Sequence, residues 1–458
     1  ISSSVTSVRR TFIGAIMTRR SADLPYKTRE VAMLTSRRML SLLLAAAAVI
    51  AILSGCYAAP VSETTEQGGE TSGAIVTDSE IPVTTYPVPE ENIRVFGNMA
   101  ASASTGGFWQ WDTFFRPYIQ AYDPVTRTTY VPCYQNGCRH NDPTCNACFG
   151  DLQSLVEYRG NYYALVFTDN GTASALVTRP LSGGPLQTLA SWEPENENES
   201  CRCVLRCVSF GKAYVISNRE TYELTEGVQL TAVAQESSLV SVDLQTGEIS
   251  TILENCDNYD LYGVWEDIAV LRVLEMAEDA PEFEDWLAQQ PEGTAWDEYD
   301  RQFVRYRFLT RNLQTGEESV LVDTSENFVM TVDPHRSWGQ YAVYQVDRSL
   351  YVYDLEEQAK RKLFTYERDW GFYNYQIMDG HVIAICGTED TCRAWAVDIA
   401  DGSVIALDTR GGNVVAFGAN YECNGYFAGL KRNSSGDFEQ CYISKEDFYR
   451  SNYDAAFR

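Results

Sequence analysis

The sequence predicts an all-β chain folded as a β-propeller of about seven four-stranded blades, with a short helical insertion; six or eight blades also fit the spacing. Three observations predict it. A cassette of alternating apolar and polar residues around a Gly-containing turn recurs along the chain. A second hairpin precedes most copies. The spacing leaves four short strands per unit, and roughly 360 residues divide into seven units of about 51 each.

The clearest cassette runs from Leu239 to Leu253, with apolar residues in period two on both sides of Gln245-Thr246-Gly247. That pattern is the sequence form of a β-hairpin. Copies lie at Ile119–Thr126, Ala175–Gly184, Phe308–Gly316, Leu350–Glu357 and Ala394–Gly402, with a degenerate one at Leu430–Gly436. The preceding hairpins are clearest at Val156–Val166, Val208–Ile216 and Ile377–Ile385. The first and last units lack an evident fourth strand, and Ile93-Arg94-Val95-Phe96 is expected to complete the last blade and close the ring. Strands alternate in direction within a blade, so the 2–3 loops and the blade-to-blade loops share one face. The long excursions 133–150, 192–202, 219–236, 275–303 and 365–373 all fall in those two classes. One face is therefore elaborated and the other plain, and binding is expected on the elaborated face. The propeller is expected to occupy 93–458.

Residues 1–32 show no periodicity and are read as no part of the mature product. From Met33 the chain carries Arg37-Arg38, then an apolar stretch from Met39 to Leu53, then Leu53-Ser54-Gly55-Cys56. A charged start, an apolar run too short for a membrane span and small residues at the cut describe an export signal over 33–55. Its ending resembles the bacterial lipobox, which implies acylation of Cys56 and a lipid anchor in the bacterial membrane. Residues 56–92 are rich in Ser, Thr, Glu, Gly and Pro and are expected to form a disordered tether.

The net charge is −27, and residues 1–55 hold eight Lys or Arg against Asp23 and Glu30, so the remainder carries −33. Such a surface repels phosphate backbones, which argues against nucleic acid as a partner.

Thirteen cysteines include Cys56 and leave twelve. Four of these, Cys133, Cys138, Cys145 and Cys148, lie within sixteen residues together with His140. Exported cysteines usually oxidise, so disulfides are expected here. The same residues also suit a structural zinc ion, with Cys138-x-His140 and Cys145-x-x-Cys148 as ligand arms. Either would staple a long loop. Cys386 and Cys392 flank a hairpin turn and are a candidate disulfide, as are Cys423 and Cys441 in the last unit. Cys201, Cys203 and Cys207 share one strand face by parity, with Cys256 a candidate partner. The Cys-x4-Cys-x-His block, behind a lipobox and tether, resembles a group of uncharacterised β-propeller lipoproteins of Gram-positive gut bacteria. That resemblance implies a surface-anchored propeller and no particular activity.

Residues 275–300 hold ten Asp or Glu and no Lys or Arg, and Pro281-Glu-Phe-Glu-Asp-Trp-Leu287 reads as a helix start. Trp286, Trp370 and Phe372 are the aromatic candidates for ligand binding. No Gly-x-Ser-x-Gly elbow, His-Glu-x-x-His or phosphate loop is present. His335 and His381 have no motif around them. The expectation is an extracytoplasmic, lipid-anchored module that binds a protein or a glycan. A carbohydrate-active enzyme with paired carboxylates and an envelope scaffold are the alternatives. A fatty-acid analogue fed to producing cells is expected to label the protein, and Cys56→Ser to abolish the label; continued labelling of the variant contradicts the anchor.

Overall fold

Seven twisted sheets follow one another along the chain, each a run of neighbouring antiparallel strands. The computed structural model describes residues 75–76, 84–95, 99–102, 106–111, 118–225, 229–290, 299, 302–324, 337–346, 348–366, 372–386, 393–408, 417–423, 425–432 and 438–458. Blade 1 comprises Met99–Ser102, Gly107–Gln110, Gln120–Asp123 and Thr128–Tyr130. Blade 2 comprises Asp151–Tyr158, Asn161–Thr168, Ala173–Pro180 and Gln187–Trp192. Blade 3 comprises Glu199–Ser209, Lys212–Thr225, Gln229–Asp243 and Ile249–Glu254. Blade 4 comprises Tyr259–Trp265, Ile268–Met276, Val304–Asn312 and Glu318–Thr324. Blade 5 comprises Ser337–Trp338, Tyr341–Val346, Ser349–Asp354 and Ala359–Thr365. Blade 6 comprises Phe372–Met378, His381–Cys386, Arg393–Asp398 and Val404–Leu407. Blade 7 has three strands, Phe417–Cys423, Tyr426–Arg432 and Phe438–Ser444. The architecture is a seven-bladed β-propeller.

The chain divides into two compact units. The ring belongs to the unit formed by Gly69–Thr221 and Gln235–Arg458. The other takes Ile1–Gly68 and Tyr222–Ala234. Its described part is the far end of the second and third strands of blade 3.

The cassette makes its turn through one polar side chain. Asp243 Oδ1 accepts the amides of Gln245 at 2.9 Å and Thr246 at 2.8 Å, and the Asp243 carbonyl accepts from Gly247 at 2.8 Å. Gly247 sits at φ +76°, a conformation that favours glycine. Asp123, Asn312, Asp354 and Asp398 cap the amides of their own turns in the same way. An Asx turn needs only local contacts, which is why the repeat is readable as text. In blades 2, 3, 4, 6 and 7 the pairing of the first two strands also shifts register by a bulge. The bulges add the local twist that a propeller sheet requires.

Ile93–Arg94 does not complete the last blade. It pairs antiparallel with Val208 and Cys207 on the innermost strand of blade 3. The outer place in blade 7 is partly taken by Phe457, whose backbone exchanges hydrogen bonds of 2.7 and 2.9 Å with Tyr442. Side chains join blade 7 to blade 1. Tyr442 stacks on Tyr122 at 4.1 Å between ring centres, and its hydroxyl accepts from Gln110 at 3.2 Å.

The tether expected over 56–92 stops short of 92. Ile75–Val76 pairs parallel with Val404 and Ile405 on the outer strand of blade 6. Residues 86–94 run along the turns between first and second strands. The Tyr86 amide donates to Asp379 Oδ1 at 2.7 Å and its hydroxyl to Asp398 at 2.8 Å. Glu91 accepts from Tyr158 at 2.9 Å, Arg159 at 2.7 Å and the Phe210 amide at 2.5 Å. Asn92 donates to the Gly339 carbonyl at 2.7 Å and accepts from Val264 at 3.1 Å. Arg94 reaches the carbonyls of Leu261 and Tyr262 at 2.8 and 2.9 Å. Blades 2 to 6 are thus tied by one segment. Its grip is polar, so a composition poor in apolar residues concealed it.

Beneath Tyr86 lies a buried charge network. Lys445 Nζ contacts Asp379 at 2.7 Å and Glu422 at 2.9 Å. The Tyr449 hydroxyl donates to Asp379 Oδ2 at 2.9 Å, and His381 Nε2 lies 3.6 Å from Asp398. Burial pushes the Glu422 carboxyl upward against the opposing pull of Lys445. His381 is therefore a structural residue, while His335 lies outside the described residues. Lys445→Met is expected to cost about 3–5 kcal/mol in denaturant unfolding, because it leaves two carboxylates buried without their cation. A loss below about 1 kcal/mol contradicts the network's role.

Candidate metal centre

The loop between blades 1 and 2 is built from successive tight turns. The Cys138 amide donates to the Gln135 carbonyl at 3.3 Å, with Gly137 at φ +73°. The Cys145 amide donates to the Asp142 carbonyl, and the Cys148 amide to the Cys145 carbonyl, each at 3.1 Å. Gln135 Nε2 ties the two arms together through the Thr144 carbonyl at 2.6 Å.

These turns bring Cys133, Cys138, His140 and Cys145 to one point. Their ligand atoms all lie within 4.8 Å of one another. His140 Nδ1 is 3.3 Å from Cys145 Sγ. A backbone amide two residues on points at each thiol: Gln135 at Cys133, His140 at Cys138 (3.4 Å) and Ala147 at Cys145 (3.4 Å). Amide donors stabilise a thiolate. Burial raises the Cys133 thiol, but the Gln135 and Asn146 amides and the neighbouring cysteines outweigh it and hold it below its ordinary value. Burial pushes Cys145 and Cys148 up. Three sulfurs and one imidazole are the donor set of a tetrahedral structural site, and four protein donors leave no open position for catalysis. The cluster can hold a metal ion.

Three expectations change here. Cys148 is not among the four clustered ligands, so the Cys145-x-x-Cys148 arm is replaced by Cys145 alone, with Cys133 as the fourth donor. No disulfide joins Cys133, Cys138, Cys145 or Cys148. The loop also leaves the elaborated rim and fills the wedge between blades 1 and 2. Cys145, Ala147, Cys148 and Phe149 are buried in the core shared by those blades. The Ala147 carbonyl accepts from Ile119 at 3.0 Å, while Asn146 sits against Gly183 in the outer turn of blade 2.

Other candidate residues disperse. Cys423 packs with Phe108 and Tyr122, whereas Cys441 packs with Phe427 and Phe448. They pair with Tyr426 and Gly429 of the intervening strand, which point to opposite faces, so no disulfide joins them. Cys386 is buried in the blade 6 core. Cys392, Trp370 and Cys56 lie outside the described residues, and Phe372 opens the first strand of blade 6. The bulge after Leu205 turns Cys207 to the face opposite Cys203, where it shares a core with Cys256 without bonding to it. Trp286 is 5 % exposed and meets Tyr299 and Phe283 at 5.3 and 6.1 Å, so it fills a small core of its own insertion and presents no face to a ligand. The residue missed from sequence is Arg179, wholly buried against the cysteine loop. A lone Arg in a strand cassette gives no local signal.

No family model matches the chain, and no curated protein does. Among solved structures it is similar to the propeller domain of the Trilobed protease from Pyrococcus furiosus, with TM-score 0.40 and 10 % identity over 82 % of this chain and 94 % of that one. It is similar to Porphyromonas gingivalis dipeptidyl peptidase 4, with TM-score 0.43 and 10 % identity over 76 % of this chain and 58 % of that one. TolB from Acinetobacter baumannii matches with TM-score 0.31 and 11 % identity over 77 % of each. Likeness at this level says nothing of activity.

Cys138→Ser and Cys145→Ser are each expected to weaken cobalt(II) binding by more than about 100-fold, since even groups that only support a ligand cost 10–100-fold. Cys148→Ser is expected to keep one ion per chain by thiolate-to-cobalt absorption. Loss of the ion in Cys148→Ser contradicts the ligand set.

Proposed function

We propose that this chain is a lipid-anchored, extracytoplasmic propeller that binds a protein partner through its elaborated face, with a structural zinc ion holding blades 1 and 2 together. The observation that carries the reading is the segment from Tyr86 to Arg94. It occupies the turns of blades 2 to 6 on the plain face and so favours recognition on the other. The Leu53-Ser54-Gly55-Cys56 ending supports the anchor. Among the described residues no helix is long and apolar enough to cross a membrane.

A protein is favoured over a glycan by the aromatic inventory. Trp286 is buried, and the large apolar residues exposed among the described ones are aliphatic apart from Tyr134, which stands on the cysteine loop. Catalysis by paired carboxylates is disfavoured at Asp379 and Glu422, which both bind Lys445 and are largely shielded from solvent. The insertion after the second strand of blade 4 offers the exposed carboxylates Glu278, Asp279, Glu282 and Asp285 on the elaborated side, which suit a basic partner surface.

A photocrosslinking residue placed at Glu282 or Asn196 in the full chain is expected to give discrete adducts on cells, and one at Thr246 on the plain face none. Adducts from Thr246 alone, or from no position, contradict the reading. Saturable glycan binding without adducts moves the ligand to a glycan.

A further inference from the structure

Arg179 stands in the third strand of blade 2 with none of its surface exposed. Its guanidinium donates to the carbonyls of Pro143 at 2.9 Å, Cys148 at 3.3 Å and Cys145. It lies 5.3 Å over the ring of Phe149. Among the described residues no carboxylate forms an ion pair with it, and its Nε has no hydrogen-bond partner. The acidic groups nearest in electrostatic terms are the thiols of Cys145, Cys148 and Cys133.

Carbonyl oxygens satisfy a donor's hydrogens but bring no net charge. Burying a cation without a counter-charge is unfavourable, so an anion in the same pocket is favoured. The possible states of the neighbouring loop differ in this respect. Disulfides, or thiols left protonated, sum to zero. Four thiolates on a divalent ion sum to −2. Three thiolates and a neutral imidazole on a divalent ion sum to −1, which balances a single guanidinium.

We infer that Arg179 is the counter-ion of a divalent metal centre formed by Cys133, Cys138, His140 and Cys145, positioning the loop through its three carbonyls while its charge favours the metal-thiolate state over the disulfide state. The inference rests on the metal reading given above. It assigns to blade 2 a residue that selects between two chemical states of a loop arising from blade 1. The loop's own Arg139 is exposed and cannot take this place without losing its hydration.

The test uses the full chain and cobalt(II) in competition with a chelator, read by thiolate charge-transfer absorption. Arg179→Gln keeps amide donors for the carbonyls and removes the charge; Arg179→Lys keeps the charge and loses the fork. Arg179→Gln is expected to weaken cobalt about 10–100-fold, with Arg179→Lys staying closer to wild type. Unchanged affinity in Arg179→Gln, or an equal fall in both variants, overturns the inference, because shape and not charge is then what matters. If wild-type protein takes up no cobalt and its loop cysteines are bridged, the metal reading itself fails before Arg179 enters. Should Arg179→Gln not fold, Arg179→Lys decides: cobalt affinity within about 10-fold of wild type supports the inference, and a greater fall overturns it.

Discussion

Each blade buries one face of its sheet against the blade before it and the other against the blade after it, so the whole ring depends on the last blade meeting the first. Here that meeting is made by side chains. Tyr442 stacks on Tyr122 and packs beside Phe108, and Phe457 lies under the guanidinium of Arg127. A closure of this kind gives less lateral restraint than a shared ladder of backbone hydrogen bonds. Two other devices add restraint elsewhere in the ring. The 86–94 segment ties the turns of five blades together, and the cysteine loop wedges blades 1 and 2.

The repeat was legible because it is local. An Asp or Asn that caps amides two and three residues ahead, followed by a residue at positive φ (Gly247, Gly316 and Gly402, or Arg127 and Gln358), writes the same turn each time. Seven blades follow from the count. Where contacts are distant in sequence, legibility ends. Tyr86 meets Asp379 and Asp398 across about three hundred positions, through groups whose composition resembles a disordered tether. Parity placed Cys207 on the face of Cys203, and one bulge reversed it. Trp286 lies in a polar insertion whose sequence gives no sign that Tyr299 and Phe283 enclose it.

The cysteine loop shows the same division. Its ligand types and spacing were visible, yet sequence alone could not separate oxidation from metal binding, since both use the same residues. The structure adds a geometry that suits a metal ion: three amides directed at three sulfurs, an imidazole among them, and a buried cation contributed by another blade. A centre with four protein donors is a fastener, and its place in the inter-blade wedge makes it part of the scaffold.

The central claim is that Cys133, Cys138, His140 and Cys145 hold one divalent ion. X-ray absorption at the zinc edge of the native full chain tests it most directly. The account predicts three sulfur neighbours at about 2.3 Å and one nitrogen at about 2.0 Å. A four-sulfur shell, an oxygen in the shell, or a protein without metal would contradict it.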